Sequence, residues 1–470
     1  MREFFKSFFL LGIATTIEKI VAFFLLPIYT RYFDISEYGV IDLIIVTISM
    51  VSIFAELQLE TALQRYYYDY EGDQKKSLIS TNFIVITSLS LLFTFVLFYF
   101  SEEVSLLVFE KVDYSGLVEL AALQLPFINF SMLAFIILRY EKRNKVFLIL
   151  MLIKVGITLI FTLLFVVWFK LGISGVFYAQ LLGLISSTVL LFLSTKDFLV
   201  LEVSRFFLKK SFTYALPQFP ARIGSALLSN ANRFFMVGYL TIASVGLYSL
   251  SLKLASVIQL LYAAFVMAWA PFMFEQLKKE NHKEVFVKIL VLTACPVYLV
   301  VSVISLFSKE IVMLIASAEF YEAYHYVGGL SLYFSLFIFK EIVDIGPKHT
   351  EKTKYLSLTF LLSLVVNISS LYLFILWFGL NGVVYSMILT NIFLLLISWM
   401  ISNRLYYIPH NIFLFIVVSV PAFLLALGSM FMLPSFIIRI AVFVGVCFFY
   451  GLIFFKYLKF FLKQTVAIKA

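Results

Sequence analysis

The sequence predicts an all-α polytopic membrane protein with fourteen transmembrane helices, and three observations carry that prediction. Hydrophobic residues make up 63% of the 470 and charged residues only 13%, with a mean hydropathy of +1.03. A soluble core does not need so much apolar sequence. The apolar residues gather into windows of about 20 residues, enough to cross a hydrocarbon core of ~30 Å. The basic clusters between those windows all fall on one side of the membrane.

The windows lie at residues 8–30, 39–59, 78–100, 117–138, 146–169, 173–194 and 212–233, then at 245–270, 285–307, 327–346, 355–377, 380–401, 411–432 and 436–456. The connections are too short for an extramembrane domain. Counting from a cytoplasmic N-terminus leaves six basic residues outside: Arg31, Lys111, Lys170, Arg233, Lys309 and Arg439. The clusters around Arg139–Lys145 and at Lys278 and Lys279 are inside, as are both termini. The basic, apolar N-terminus opens like a signal peptide, but Glu18 and Lys19 interrupt it and no small-residue cleavage site follows, so it is expected to be retained.

The net charge of +9 reflects those loops and not a nucleic-acid partner. Two cysteines in separate windows and four histidines in separate connections predict neither a disulfide framework nor a metal site.

The first window carries an ion pair in its middle. Glu18 and Lys19 fall near the bilayer midplane, where each charge costs at least ~2.5–3.5 kcal/mol and should face protein or water. With Gly12, Thr15, Thr16 and Ala22 they occupy one face of a helix. That face lines a polar cavity, or else buries a structural ion pair between helices.

The seventh window is as unusual. Pro217 and Pro220 should kink it and free backbone groups. Gln218, Arg222, Ser225 and Ser229 recur along one face, with Asn230, Asn232 and Arg233 beyond them. A kinked helix satisfying its own broken backbone explains the serines and glutamine, but not an arginine. Lys154 and Lys253 each lie about 12 Å from a membrane face, within reach of snorkelling. Asp42 and Glu56 lie near the ends of the second window, which reads as interfacial placement.

An internal repeat runs through these windows. An element G-x-x-G-V-x-Y followed by a small residue begins at Gly172 and again at Gly379, an offset of 207 that also carries Gly39 onto Gly246. Lys6-Ser7-Phe8 matches Lys210-Ser211-Phe212 at 204. Six crossings per repeat keep its orientation, so the repeats are parallel. The predicted organisation is an N-lobe of helices 1–6 (residues 1–200), a C-lobe of helices 7–12 (201–404), and helices 13–14 with a cytoplasmic tail (405–470).

Several short motifs in order resemble the polysaccharide-repeat flippases, the O-antigen and capsule exporters of the MATE-like (MOP) superfamily. These are Pro27-Ile28-Tyr29-Thr30-Arg31 with Ser36-Glu37-Tyr38-Gly39, then Thr61-Ala62-Leu63-Gln64-Arg65, then Asn232-Arg233 with Val245-Gly246-Leu247-Tyr248-Ser249 and Ala270-Pro271. Many members carry an acidic residue before that arginine, and Asn232 departs from the pattern. The resemblance covers nearly the whole chain. It implies a MATE-like pair of pseudo-symmetric six-helix lobes around a cavity that opens alternately to each side, with polyprenyl-diphosphate-linked oligosaccharide as cargo.

The residues suit that cargo. Lys19 and Arg222 offer cations at mid-depth to replace the hydration of a diphosphate, arginine through two parallel hydrogen bonds and lysine as a point charge. Lys154 and Lys253 extend the basic lining, and Gln218 and Asn230 offer hydrogen bonds to sugars. Glu18 is the candidate for coupling to H+ or Na+; no other cofactor is expected. The expected partners are the lipid-linked oligosaccharide, membrane lipid and a polysaccharide polymerase or export machinery. The alternative is an ion-coupled small-molecule or drug exporter of the same fold, for which the intramembrane balance is too basic. An enzyme is not expected: a glycosyltransferase or polymerase needs an acidic metal site or a large outer loop. A non-transporting relative of the same fold is a further alternative. The expected location is the bacterial cytoplasmic membrane.

Overall fold

The computed structural model describes residues 23–352 and 354–469, and its regular structure among these is entirely helical. Helix α1 covers residues 23–32. Asp34 then starts α2 (Ile35–Glu56) through a reciprocal cap: its carboxylate accepts from the Glu37 N–H at 2.8 Å while Glu37 accepts from the Asp34 N–H at 3.0 Å. Leu57 and Gln58 end α2 at φ of 47° and 60°. Two successive non-glycine residues in the left-handed region are uncommon, and they re-aim the chain into α3 (Leu59–Tyr66).

Helices α4 (Gly72–Tyr99), α5 (Ser101–Phe109), α6 (Ser115–Ala122) and α7 (Leu125–Tyr140) follow. Pro126 occupies the first turn of α7, where its missing N–H costs nothing. Then come α8 (Asn144–Thr162), lengthened by a π-turn at Leu163–Trp168, and α9 (Gly172–Thr195). At Pro217 and Pro220, where a kink is expected, the α-helical path is interrupted: α10 (Arg205–Ala215) passes through a 3-10 turn, Leu216–Gln218, into α11 (Phe219–Tyr239).

The remaining helices are α12 (Ile242–Ala255), α13 (Val257–Gln276), α14 (His282–Leu306), α15 (Ser308–Ile315), α16 (Tyr324–Val343), α17 (Ile345–His349), α18 (Lys354–Leu405), α19 (Ile412–Gly428) and α20 (Phe436–Lys469). Helix α18 is two helices joined at Gly379, whose φ of 56° breaks the helical path. Among the described residues ten helices are long and apolar enough to cross a membrane, and Ile242–Ala255 and Ile412–Gly428 are shorter apolar helices. The fold is that of a polytopic all-α membrane protein.

The chain forms two compact units, Met1–Gly246 and Leu247–Ala470. In the first, Tyr67, Leu78, Phe83, Leu133, Ile137 and Leu138 form a buried cluster joining α3, α4 and α7. Beside it Glu141 accepts hydrogen bonds from Tyr67 at 2.9 Å and from Lys75. Burial pushes the Glu141 carboxyl up, but those two bonds and the charges of Lys75 and Arg143 together hold it below its ordinary value. In the second unit α14 packs on α16, α19 and α20 around the fully buried Tyr298, Phe339 and Tyr450. Arg439 clamps α20 there, donating to both oxygens of Glu310 at 2.7 and 2.6 Å. Those bonds hold the Glu310 carboxyl below the usual range.

Residues paired by the 207 offset share local geometry. Gly172 and Gly379 both take positive φ, 61° and 56°, a conformation that favours glycine. A methyl added to Gly39 would meet the carbonyl oxygen of Ile242 at 2.3 Å, and one added to Gly246 would meet that of Ile35 at 2.0 Å. The same offset maps Ile35 onto Ile242, so the starts of α2 and α12 cross reciprocally, each glycine against the other helix's first-turn carbonyl. All four residues lie in the first unit.

Candidate functional site: a charged cavity in the first unit

Helix α2 presents Ile45, Ser49, Ser52, Ile53 and Glu56 along one face, and that face borders a cavity of about 660 Å³. Helix α11 presents Arg222, Ser225, Ala226, Ser229 and Asn230 to the same space. Both sets follow helical spacing, so one stripe of each helix is polar inside an otherwise apolar element. Lys154 and Thr158 of α8, Gln180 of α9 and Gln124, just before α7, complete the polar lining. Phe177, Leu184 and Ile128 supply apolar wall.

Most of the small polar groups are already committed. Ser229 and Asn230 donate to the carbonyls of Ser225 and Ala226 at 2.9 and 3.0 Å, and Thr158 to that of Lys154 at 2.9 Å. The Asn230 side-chain oxygen accepts from Arg233 at 3.4 Å. Arg222 differs: it is exposed on the cavity wall, and its charge acts on both Glu56 and Glu60. A guanidinium facing an open cavity offers two parallel donors to an anion.

Glu56 is 8% exposed and accepts from the Ser52 hydroxyl at 2.9 Å. Beyond the placement expected near the end of the second window, α2 ends at the αL break at Leu57 with Glu56 on the cavity wall. The sequence held the signal, since Ser49, Ser52 and Glu56 recur on one face of an apolar helix. Glu60, one turn further on in α3, is equally buried. Asp42, near the other end of α2, is 6% exposed and ion-paired with Arg233 at 2.5 Å. Arg233, expected at the outer surface, is therefore 7% exposed.

Of the residues predicted for the site, Arg222, Lys154 and Asn230 come together on this cavity. Gln218 does not line it; it sits exposed in the turn before α11 and donates to the carbonyl of Tyr214 at 3.0 Å. Lys253 is half-buried in the part of α12 that belongs to the second unit. Glu18 and Lys19 lie outside the described residues. The second unit holds a charge cluster that the sequence reading missed, Lys340, Glu341, Asp344 and Lys348 at the end of α16 and in α17. Its charges neutralise one another, Lys340 with Asp344 and Lys348 with Glu341, each at 2.7 Å.

The open lining of α11 has a direct test. A Ser225→Cys thiol is expected to react with small aqueous reagents in the purified protein, whereas a Ser302→Cys thiol, at a fully buried position, is expected to stay unmodified. Equal protection of both, read by mass shift, would mean that the α11 stripe is packed away from water.

Residues 4–278 match the family model described as polysaccharide biosynthesis protein. No curated protein matches. Among solved structures, the lipid II flippase MurJ in an inward closed conformation superposes with a TM-score of 0.70 at 16% identity, over 95% of this chain and 98% of that one. An inward-facing multidrug resistance MATE family transporter of the MOP superfamily gives 0.64 at 16% identity, over 85% and 97%. A MOP superfamily transporter from Pyrococcus furiosus, described as having a binding pocket of reverse polarity, gives 0.56 at 16% identity, over 85% and 95%. At such identities these likenesses establish a shared fold.

Proposed function

Since the chain belongs to the polysaccharide biosynthesis protein family, we propose that it is a flippase for polyprenyl-diphosphate-linked oligosaccharide repeat units. It would carry them across the bacterial cytoplasmic membrane by alternating access between two six-helix lobes, with both termini cytoplasmic, and supply O-antigen or capsule assembly. A polymerase or export machinery would take the product. The observation that carries this reading is the cavity that brings Arg222 and Lys154 together among hydroxyl and amide side chains. A diphosphate leaving water needs cations to replace its hydration, and sugars need hydrogen bonds and flat apolar wall. Lys19 is proposed to add a third cation.

One observation favours the alternative, an exporter of small organic cations: Glu56 lies on the same cavity. Proteoliposomes discriminate the two readings. A fluorescent lipid-linked oligosaccharide is expected to exchange between leaflets at a rate set by the protein, while organic cations fail to compete. Cation transport without movement of the lipid-linked sugar would reverse the assignment.

Coupling to H+ or Na+ is part of the proposal. Glu18 was the sequence candidate, and Glu56 has the position for the same work, a carboxylate on the cavity within the field of Arg222. Cargo diphosphate and Glu56 compete for that guanidinium, so arrival of one favours neutralisation of the other. Glu56→Gln keeps the shape and removes the charge. It is expected to sustain flipping down the cargo gradient and to lose acceleration by an imposed proton gradient. A wild-type response to that gradient would take Glu56 out of the coupling.

A further inference from the structure

Three buried side chains connect Glu56 to the core of the first unit. The Ser52 hydroxyl oxygen lies 2.9 Å from Glu56 Oε1 and 2.7 Å from Asn129 Oδ1. Asn129 Nδ2 donates to Ser90 Oγ at 2.8 Å, and the Ser90 hydroxyl donates to the carbonyl of Ile86 at 2.7 Å. Ser90 and Asn129 are fully buried, Ser52 is 4% exposed and Glu56 8%. The chain thus crosses from α4 through α7 to α2, from two fully buried groups, Ser90 and Asn129, to Ser52 and Glu56 at the cavity wall.

A serine hydroxyl has one proton, and here two acceptors claim it. With Glu56 ionised and the amide oriented as found, either the carboxylate or Asn129 Oδ1 faces the bare oxygen of Ser52. Two arrangements give each contact along the chain one donor and one acceptor. In one, Glu56 is protonated and donates to Ser52, Ser52 donates to Asn129 Oδ1, and the amide N–H reaches Ser90. In the other, Glu56 is ionised and accepts from Ser52, the amide is turned over so that its N–H reaches Ser52, and the Ser90 hydroxyl swings from Ile86 to the amide oxygen. A half-turn of one amide separates them, with no backbone movement.

We propose that Asn129 is the positioning residue for the proton on Glu56: the orientation of its amide selects the protonation state, and the orientation found is the protonated one. The proton enters and leaves through solvent in the cavity. This rests on the proposed coupling role of Glu56. Among the described residues, Arg222 of α11 and Glu60 of α3 act on Glu56 through their charges, and Lys154 of α8 lines the same cavity. On other helices packed against α2, Lys75 of α4 is engaged with Glu141 and Glu119 of α6 with Ser101. The amide is therefore the neutral element that can invert without moving a charge.

Infrared titration of the carboxyl band in detergent-solubilised protein, assigned by its loss in Glu56→Gln, reads the proton directly. Asn129→Leu removes the competing acceptor and leaves Ser52 to the carboxylate, so the protonation midpoint is expected to fall by about one pH unit, a ~tenfold weaker hold on the proton. Isosteric Asn129→Asp has no N–H to turn toward Ser52 and is expected to move the midpoint up. In a Ser52→Ala background the Asn129→Leu shift is expected to vanish, because the amide acts only through that hydroxyl. Unchanged midpoints in either folded variant, or the same Asn129→Leu shift without Ser52, would overturn the proposal. If Asn129→Leu does not fold, the isosteric variant alone decides. A wild-type protein that fails to move lipid-linked oligosaccharide would sink the flippase reading while leaving this titration intact.

Discussion

Arg222→Ala is expected to abolish translocation at ordinary expression levels, with a fall in initial flipping rate on the order of 10²- to 10⁴-fold. The estimate follows from what an exposed guanidinium does for a phosphate. Each hydrogen bond to a charged group contributes about 1.5–3 kcal/mol, and a bidentate pair about twice that. Arg222→Lys keeps the charge and loses the second parallel bond, so it should retain part of the activity, within roughly one bond's contribution of the wild type. Lys154→Ala is expected to cost less, because lysine acts as a point charge from one side of the cavity. The measurement is leaflet exchange of a fluorescent lipid-linked oligosaccharide in proteoliposomes, with binding of a soluble diphosphate-sugar in parallel. Loss of flipping in Arg222→Ala with undiminished diphosphate binding would place the anion elsewhere.

The fold was legible in the sequence because a bilayer imposes strong rules. Segment length and apolar composition are nearly independent of tertiary detail. The interruption of the helix at Pro217 and Pro220 was legible for a similar reason, since proline removes a backbone donor wherever it stands. Arg222 stood out because an arginine at mid-depth is costly without a role. The burial of Glu56 and Asp42 was not legible, because distance from a window's edge is a poor guide to what a side chain packs against. What settles their surroundings is a break at Leu57 and Gln58, which have no turn-forming chemistry, and a partner, Arg233, 191 residues away from Asp42. The Ser52, Asn129 and Ser90 chain was invisible for the same reason. Each residue is ordinary in a transmembrane helix, and only the packing of α2, α4 and α7 brings the three into line.

Arg233→Ala is expected to be the most damaging single change to stability in the first unit. Arg233 and Arg222 are eleven residues apart on α11, three turns along nearly the same face, about 16 Å. They have opposite fates. Arg222 faces the cavity, while Arg233 is buried against Asp42 at 2.5 Å and also donates to the Ser229 carbonyl at 3.4 Å. Removing one partner of a buried pair leaves the other charge without compensation, at a cost of about 3–5 kcal/mol. That is a large share of a typical folding free energy. The expected result is a sharp loss of folded protein in detergent and a lowered thermal transition. Arg222→Ala, whose side chain is exposed to the cavity, should keep the wild-type transition. Replacing both partners with apolar residues of similar size, Asp42→Leu with Arg233→Met, should recover most of the stability, because no orphaned charge remains. If Arg233→Ala instead folds normally and fails only in flipping, the pair serves transport and not architecture. The polar run on α11 would then have to be read as one continuous path for the cargo.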